Sequence, residues 1–246
     1  MKPTQENVPW GWLTAIGLPL AHIAIQIALT LSGSGVLLLM LWATSRLNST
    51  NLTTWATSGV FVGLIGTLGG LISLALIYAV VTRLRKRPFR ATIRLIKGGH
   101  LWLAALGAVL LGGVMDTATL ALHKPIVPEV LRPMFAGFAS VVMMTLFAVL
   151  VTPLVEELLF RGVLYPVAAR SFGVASSVAL VSLVFGLAHT VTYGFDIHLV
   201  AQALVAGFYL TWLRARTGSL VPSIAAHAAL NLYATVEAVV VMNLLK

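Results

Sequence analysis

The chain has 246 residues, of which 59% are hydrophobic and only 9% charged, whereas soluble proteins carry roughly 25% charged residues. A single soluble core of this length cannot hide so much apolar surface, so a soluble domain and a disordered chain are both excluded. The formal net charge of +9 does not make it a nucleic-acid-binding domain, and the absence of cysteine removes disulfides, thiol nucleophiles and thiolate metal ligands. The composition is that of an all-α, polytopic transmembrane bundle.

A spanning helix needs about 20 apolar residues. The first candidate runs from Trp10 to Ala43, too long for one upright span. The step Ser32-Gly33-Ser34-Gly35 is where a kink is expected, unless the helix tilts or projects into water. Lys2 ahead of the run suggests a signal peptide as the rival, but the run far exceeds the usual h-region. The second span covers Trp55 to Val81. It is followed by the most basic segment, Thr82 to Lys97, with Arg83, Arg85, Lys86, Arg87, Arg90, Arg94 and Lys97. A loop this basic marks topology and stays in the cytoplasm. The loop Arg46–Thr54 then lies outside, with two sequons, at Asn48 and Asn51, of a kind common by chance.

The third span covers Leu101 to Leu122, and the fourth Met134 to Pro153. Leu154 to Arg170 is a further helical stretch, closed by a turn at Ser171-Phe172-Gly173. Val174–Thr190 and His198–Leu213 are the next two helices, and the last opens after Gly218-Ser219, with Pro222 in its first turn. This makes six to eight membrane helices and no strands. Arg170, Arg214 and Arg216 share the side of the basic loop only if Leu154–Arg170 continues the fourth span. The positive-inside rule favours that, whereas the combined length favours a break at Pro153.

Seven carboxylates are present. Glu6, Glu129 and Asp196 sit in loops, whereas Asp116, Glu156, Glu157 and Glu237 lie in or beside apolar runs. Ionisable groups at membrane depth cost about 2.5–3.5 kcal/mol each on insertion scales, so each asks for a reason. In Glu156-Glu157-x-x-x-Arg161 the second glutamate and the arginine are i and i+4, the favourable order for an ion pair on a helix. Glu156 points elsewhere, about 100° around the helix, and stays free for other work. Phe185-x-x-x-His189 shares a helix face, so the ring can fix the imidazole. Equal arms of an antiparallel hairpin about the Ser171–Gly173 turn bring Glu156 and His189 to one depth, where they can polarise a shared water. His227-x-x-x-Asn231 sets an imidazole and a carboxamide one turn apart, as donors to a developing negative charge.

These three motifs, in this order on successive apolar helices, resemble the signature of the CPBP family, the CAAX proteases and bacteriocin-processing enzymes. The resemblance covers roughly Met134 to Lys246, which divides the chain into N-terminal membrane helices (1–133) and a catalytic helical core (134–246) of one membrane unit. It implies an intramembrane endopeptidase acting on a membrane-embedded or lipidated peptide or protein. Glu156 and His189 would activate a water, His227 and Asn231 would stabilise the oxyanion, and Glu157, Arg161 and Phe185 would support them. No metal or other cofactor is expected. Zinc on Glu156, His189 and His227 is the alternative, since three ligands plus a water is the arrangement of catalytic zinc, although no H-E-x-x-H pair exists. A multi-pass protein of a prokaryotic plasma membrane is the expected setting.

The competing functions are a catalytically inactive scaffold or immunity protein of the same fold and a small-solute transporter, for which no repeated half is evident. Asp116 and Glu237 read as interfacial or structural, His22 as a buried hydrogen bond, Asp196 with His198 as a helix cap, and the tryptophans near span ends, including Trp10, as an aromatic belt.

Overall fold

The computed structural model describes residues 8–190 and 195–244, so Lys2 and Glu6 lie outside the described residues. Among the described residues there are nine α-helices, some with π turns, a short 3-10 helix at Arg132–Phe135 and no strand. The α-helices are α1 (Trp12–Ala43), α2 (Ser49–Ala56), α3 (Gly59–Leu84), α4 (Phe89–Thr92), α5 (Leu101–Ala121), α6 (Phe138–Phe172), α7 (Val174–Ala188), α8 (Ile197–Thr217) and α9 (Val221–Leu244). Six of them, α1, α3, α5, α6, α8 and α9, are long and apolar enough to cross a membrane, and α7 is a shorter apolar helix. Leucines such as Leu39, Leu64, Leu110 and Leu150 stand exposed on the outside. That is the arrangement of a helix bundle whose solvent is lipid, and the chain is an integral membrane protein.

Without a hydrophobic drive between helices in lipid, close packing relies on small residues. The inner face of α3 is a stripe of buried glycines, against which α6 lays Met143, Phe147 and Val151. A Cβ on Gly66 would overlap the Phe147 ring, and one on Gly70 would come within 2.5 Å of Val151. The same logic corrects the reading of the first span. α1 runs unbroken through Ser32–Gly35, where Gly33 admits Phe61 and Ile65 of α3. His22 hydrogen-bonds Ser73 at 2.8 Å, the buried bond expected of it.

Several loop expectations change. Residues 49–56 form α2, capped by the Asn48 side chain, which accepts from the Asn51 N–H at 2.7 Å. The basic segment contains α4, and the tight connection before α7 is Gly173 alone, at φ 77°. Asp196 caps α8 by accepting from the N–H groups of His198 and Leu199, as expected. Trp10 belongs to the core and not to a belt: it is buried, and its indole N–H donates to the Val163 carbonyl at 3.1 Å.

Of the two options left open at Pro153, the structure takes the continuous one: α6 passes through Pro153 and Pro166 as one helix of 35 residues. Proline lacks an N–H and its ring collides with the carbonyl four residues back in an α-helix. α6 avoids the break by widening to π geometry ahead of each proline, over Phe147–Val151 and Glu157–Leu164. Thr152 N–H bonds Phe147 O and Tyr165 N–H bonds Phe160 O, each reaching back five residues. Because α6 is continuous, Arg170 falls at the end of the bundle that carries the basic segment. Contacts agree: Arg94 donates to Gly218 O at 2.9 Å and accepts from Leu220 N–H at 2.9 Å, while Arg170 donates to Trp10 O at 3.1 Å. Arg214 and Arg216, in the last turn of α8, share that end, which the positive-inside rule assigns to the cytoplasm.

Candidate active site

The paired glutamates stand where the second π segment of α6 begins, Glu156 ending the α turn before it and Glu157 opening it. Glu157 and Arg161 are both fully buried and joined at 2.8 Å. Arg161 does more than close its own turn: Nε donates to Thr211 Oγ1 at 3.1 Å and its other terminal nitrogen to Gly207 O at 3.0 Å, which ties α6 to α8. Its guanidinium carbon lies 4.3 Å from the centre of the Phe185 ring, a cation–π contact. Gly207 is required beside it, since a Cβ there would stand 2.9 Å from the Phe185 ring.

Glu157 Oε1 also accepts from His227 Nδ1 at 2.9 Å, across to α9. An ionised carboxylate only accepts, so the proton of this bond belongs to His227 Nδ1. The other ring nitrogen, Nε2, is thereby turned toward Glu156, with 3.8 Å to Glu156 Oε2. His189 lies at the end of α7, where Nδ1 is 2.8 Å from the Phe185 carbonyl. A carbonyl cannot donate, so His189 carries its proton on Nδ1 and Nε2 is the basic nitrogen. The Phe185 ring packs against both imidazoles, 4.6 Å from His189 and 6.0 Å from His227. One aromatic ring thus orients the arginine and the two histidines.

Asn231 donates to the carbonyl of Ala148 at 2.7 Å. This contact has a local cause. In the π turn Thr152 N–H is spent on Phe147 O, and the next donor in that register is Pro153, which has none. The Ala148 carbonyl would be an orphan in a low-dielectric interior, and Asn231 satisfies it from α9.

Glu156, His189, His227 and Asn231 all line one cavity of about 360 Å³, together with Phe185 and Thr152. Glu157 and Arg161 are fully buried behind them. The three motifs therefore converge, although the imidazole placed directly beside Glu156 is that of His227, 70 and more residues away in sequence. For the zinc alternative, no group of three His, Asp or Glu side chains that could hold a metal ion is found among the described residues.

Sequence reasoning passed over two features of the cavity. Thr152 stands one turn before Glu156, a spacing that could have flagged it. Asp116, Tyr233 and Glu237 line the same cavity, with the Tyr233 hydroxyl donating to Asp116. Glu237 is six residues beyond Asn231 and so seemed off its face, but the cavity is broad enough to reach both sides of α9.

Residues 138–233 match the family described as type II CAAX prenyl endopeptidase, Rce1-like, a span that holds every motif residue named above. The match supports assigning this segment to the CAAX proteases of the CPBP family. No curated protein and no solved structure matches the chain. At family level the match supports a CAAX-type intramembrane endopeptidase with a membrane-associated protein as substrate.

Proposed function

We propose that this chain hydrolyses a peptide bond of a lipidated or membrane-embedded polypeptide with a water activated by Glu156 and His189, without a metal. The observation that carries the reading is that the carboxylate, both imidazoles and the carboxamide wall one cavity, with Glu157 fixing the tautomer of His227.

The roles follow from the hydrogen bonds. Glu156, assisted by the basic Nε2 of His189, takes a proton from water as its oxygen bonds to the scissile carbonyl carbon. The developing oxyanion needs donors. His227 has given Nδ1–H to Glu157, so it serves through Nε2–H as an imidazolium. Its charge then completes a balanced set, with Glu156 and Glu157 against Arg161 and His227. Asn231 keeps a second amide N–H beyond the one bound to Ala148 and can share the load. Such donors are worth about 2.7–4 kcal/mol each. Collapse returns the proton to the amine as the C–N bond breaks, giving an acid and an amine.

The test is cleavage of quenched fluorescent peptides by the protein in lipid nanodiscs, comparing prenylated C-terminal peptides with unlipidated transmembrane ones. Wild type should cleave, and Glu156→Ala and His189→Ala should be reduced at least about a hundredfold. Full activity in either variant overturns the mechanism.

A further inference from the structure

Thr152 is set apart from its counterparts in this chain. Thr117, Thr145, Thr211 and Thr235 each give their hydroxyl to the carbonyl four residues back, the ordinary resting place of a threonine in a membrane helix. For Thr152 that acceptor is Ala148 O, which Asn231 occupies. Its Oγ1 is buried and has no hydrogen-bond partner among the described residues. Glu156 Oε2 is likewise buried and without a hydrogen bond: its ion-pair neighbour His227 Nε2, 3.8 Å away, is beyond direct hydrogen-bond reach. Thr152 and Glu156 are i and i+4 on α6, and both line the cavity.

Two unpartnered buried oxygens on one wall of a polar cavity are costly unless a third group joins them. A water needs two to four polar partners to be held in a protein interior. We propose that Thr152 is a further catalytic residue, whose hydroxyl and Glu156 Oε2 together seat the attacking water. The proposal rests on the hydrolytic reading of the site. One water proton points to Glu156 and is transferred as the oxygen bonds to the carbonyl carbon. The other is accepted by Thr152 Oγ1, which leaves a lone pair directed at the substrate. Thr152 keeps its own proton throughout.

Thr152→Val is isosteric and removes a hydroxyl that bonds no protein group, so its melting temperature should stay within a few degrees of that of wild type. kcat should fall about tenfold with KM within about twofold, the split of a group acting on the reaction and not on binding. Thr152→Ser should restore most of the loss. Wild-type kcat in Thr152→Val, or a loss matched by a lower melting temperature, overturns the proposal. A second readout does not depend on turnover: the infrared carboxylate band missing from Glu156→Gln should shift in Thr152→Val and return in Thr152→Ser. If wild type cleaves nothing, the peptidase reading fails while a shifted band keeps the shared water site. An unshifted band overturns the role of Thr152 whatever the activity.

Discussion

Arg161→Met gives the sharpest test of what holds the site together. The substitution keeps an unbranched side chain beside Phe185 and removes the guanidinium that meets Glu157, Thr211 and Gly207. Two of those partners lose little. The Gly207 carbonyl still accepts the Thr211 hydroxyl at 2.7 Å, so neither is abandoned. Glu157 is different, because its fully buried carboxylate loses its cation and keeps only His227. Breaking a buried pair from one side costs about 3–5 kcal/mol. At roughly 2–4 °C per kcal/mol for a chain of this size, the melting temperature should fall by roughly 6–20 °C. The six tryptophans provide the fluorescence signal for thermal unfolding in nanodiscs.

The control is Glu157→Gln combined with Arg161→Met. The glutamine amide oxygen still accepts from His227 Nδ1, and neither position of the former buried pair carries a charge. Replacing both members of a buried pair is often neutral or stabilising, so the double variant should melt within about 5 °C of wild type. If it melts as low as Arg161→Met alone, the loss comes from packing or from the contacts to α8, and the charge argument is wrong.

Three further outcomes are expected. Cleavage should persist in strong chelators and gain nothing from added zinc, since no three-ligand group converges among the described residues; loss on chelation with recovery on zinc would overturn the metal-free mechanism. Pro153→Ala supplies an N–H that competes with Asn231 for the loosened carbonyls of α6. It should keep thermal stability while lowering turnover about fivefold, the equivalent of one hydrogen bond of about 1 kcal/mol. Gly59→Ala places a methyl onto the Met134 carbonyl oxygen and within 2.8 Å of that of Ser140, both backbone atoms that cannot turn aside. It should destabilise by about 1–3 kcal/mol in thermal unfolding, and a neutral result would show that α3 and the start of α6 pack less closely than described.

What the sequence made legible follows from what hydropathy and spacing encode. The spanning runs were readable because lipid imposes length and apolarity on each helix, and the three motifs because polar groups are so few that Glu156, His189 and His227 stand out. Helix register is another matter. At Pro153 a break and a continuous helix both stayed open, since combined length and charge pointed opposite ways; the π turn that carries α6 past it leaves hydropathy unchanged. The Glu157–His227 bond joins positions 70 residues apart and no local pattern announces it. At Gly33 a kink was one of several readings, because a glycine in an apolar run signals flexibility or close approach equally well, and the neighbours Phe61 and Ile65 show the close approach. Trp10 was misread for a related reason: nearness to a span end fits a belt, but its indole is drawn inward by the carbonyl of Val163.

These readings share a cause that also explains the site. Each π segment of α6 hands back to α geometry one residue before a proline, at Thr152 and at Tyr165, and near each a carbonyl is served by a donor from another helix or segment. Asn231 reaches Ala148 and Trp10 reaches Val163. In water such carbonyls would simply hydrate; in a bilayer they must be met by protein. The paired glutamates lie between the two prolines, on the stretch of backbone whose register is set by these outside donors. α6 is thus held by side chains from both ends of the chain, and the depth and direction of Glu156 depend on all of them. A peptidase that works inside lipid needs a carboxylate that is buried yet not consumed by its own helix. Bending the register of that helix, and satisfying the loosened carbonyls from elsewhere, leaves Thr152 and Glu156 facing the cavity with their hydrogen-bonding capacity intact.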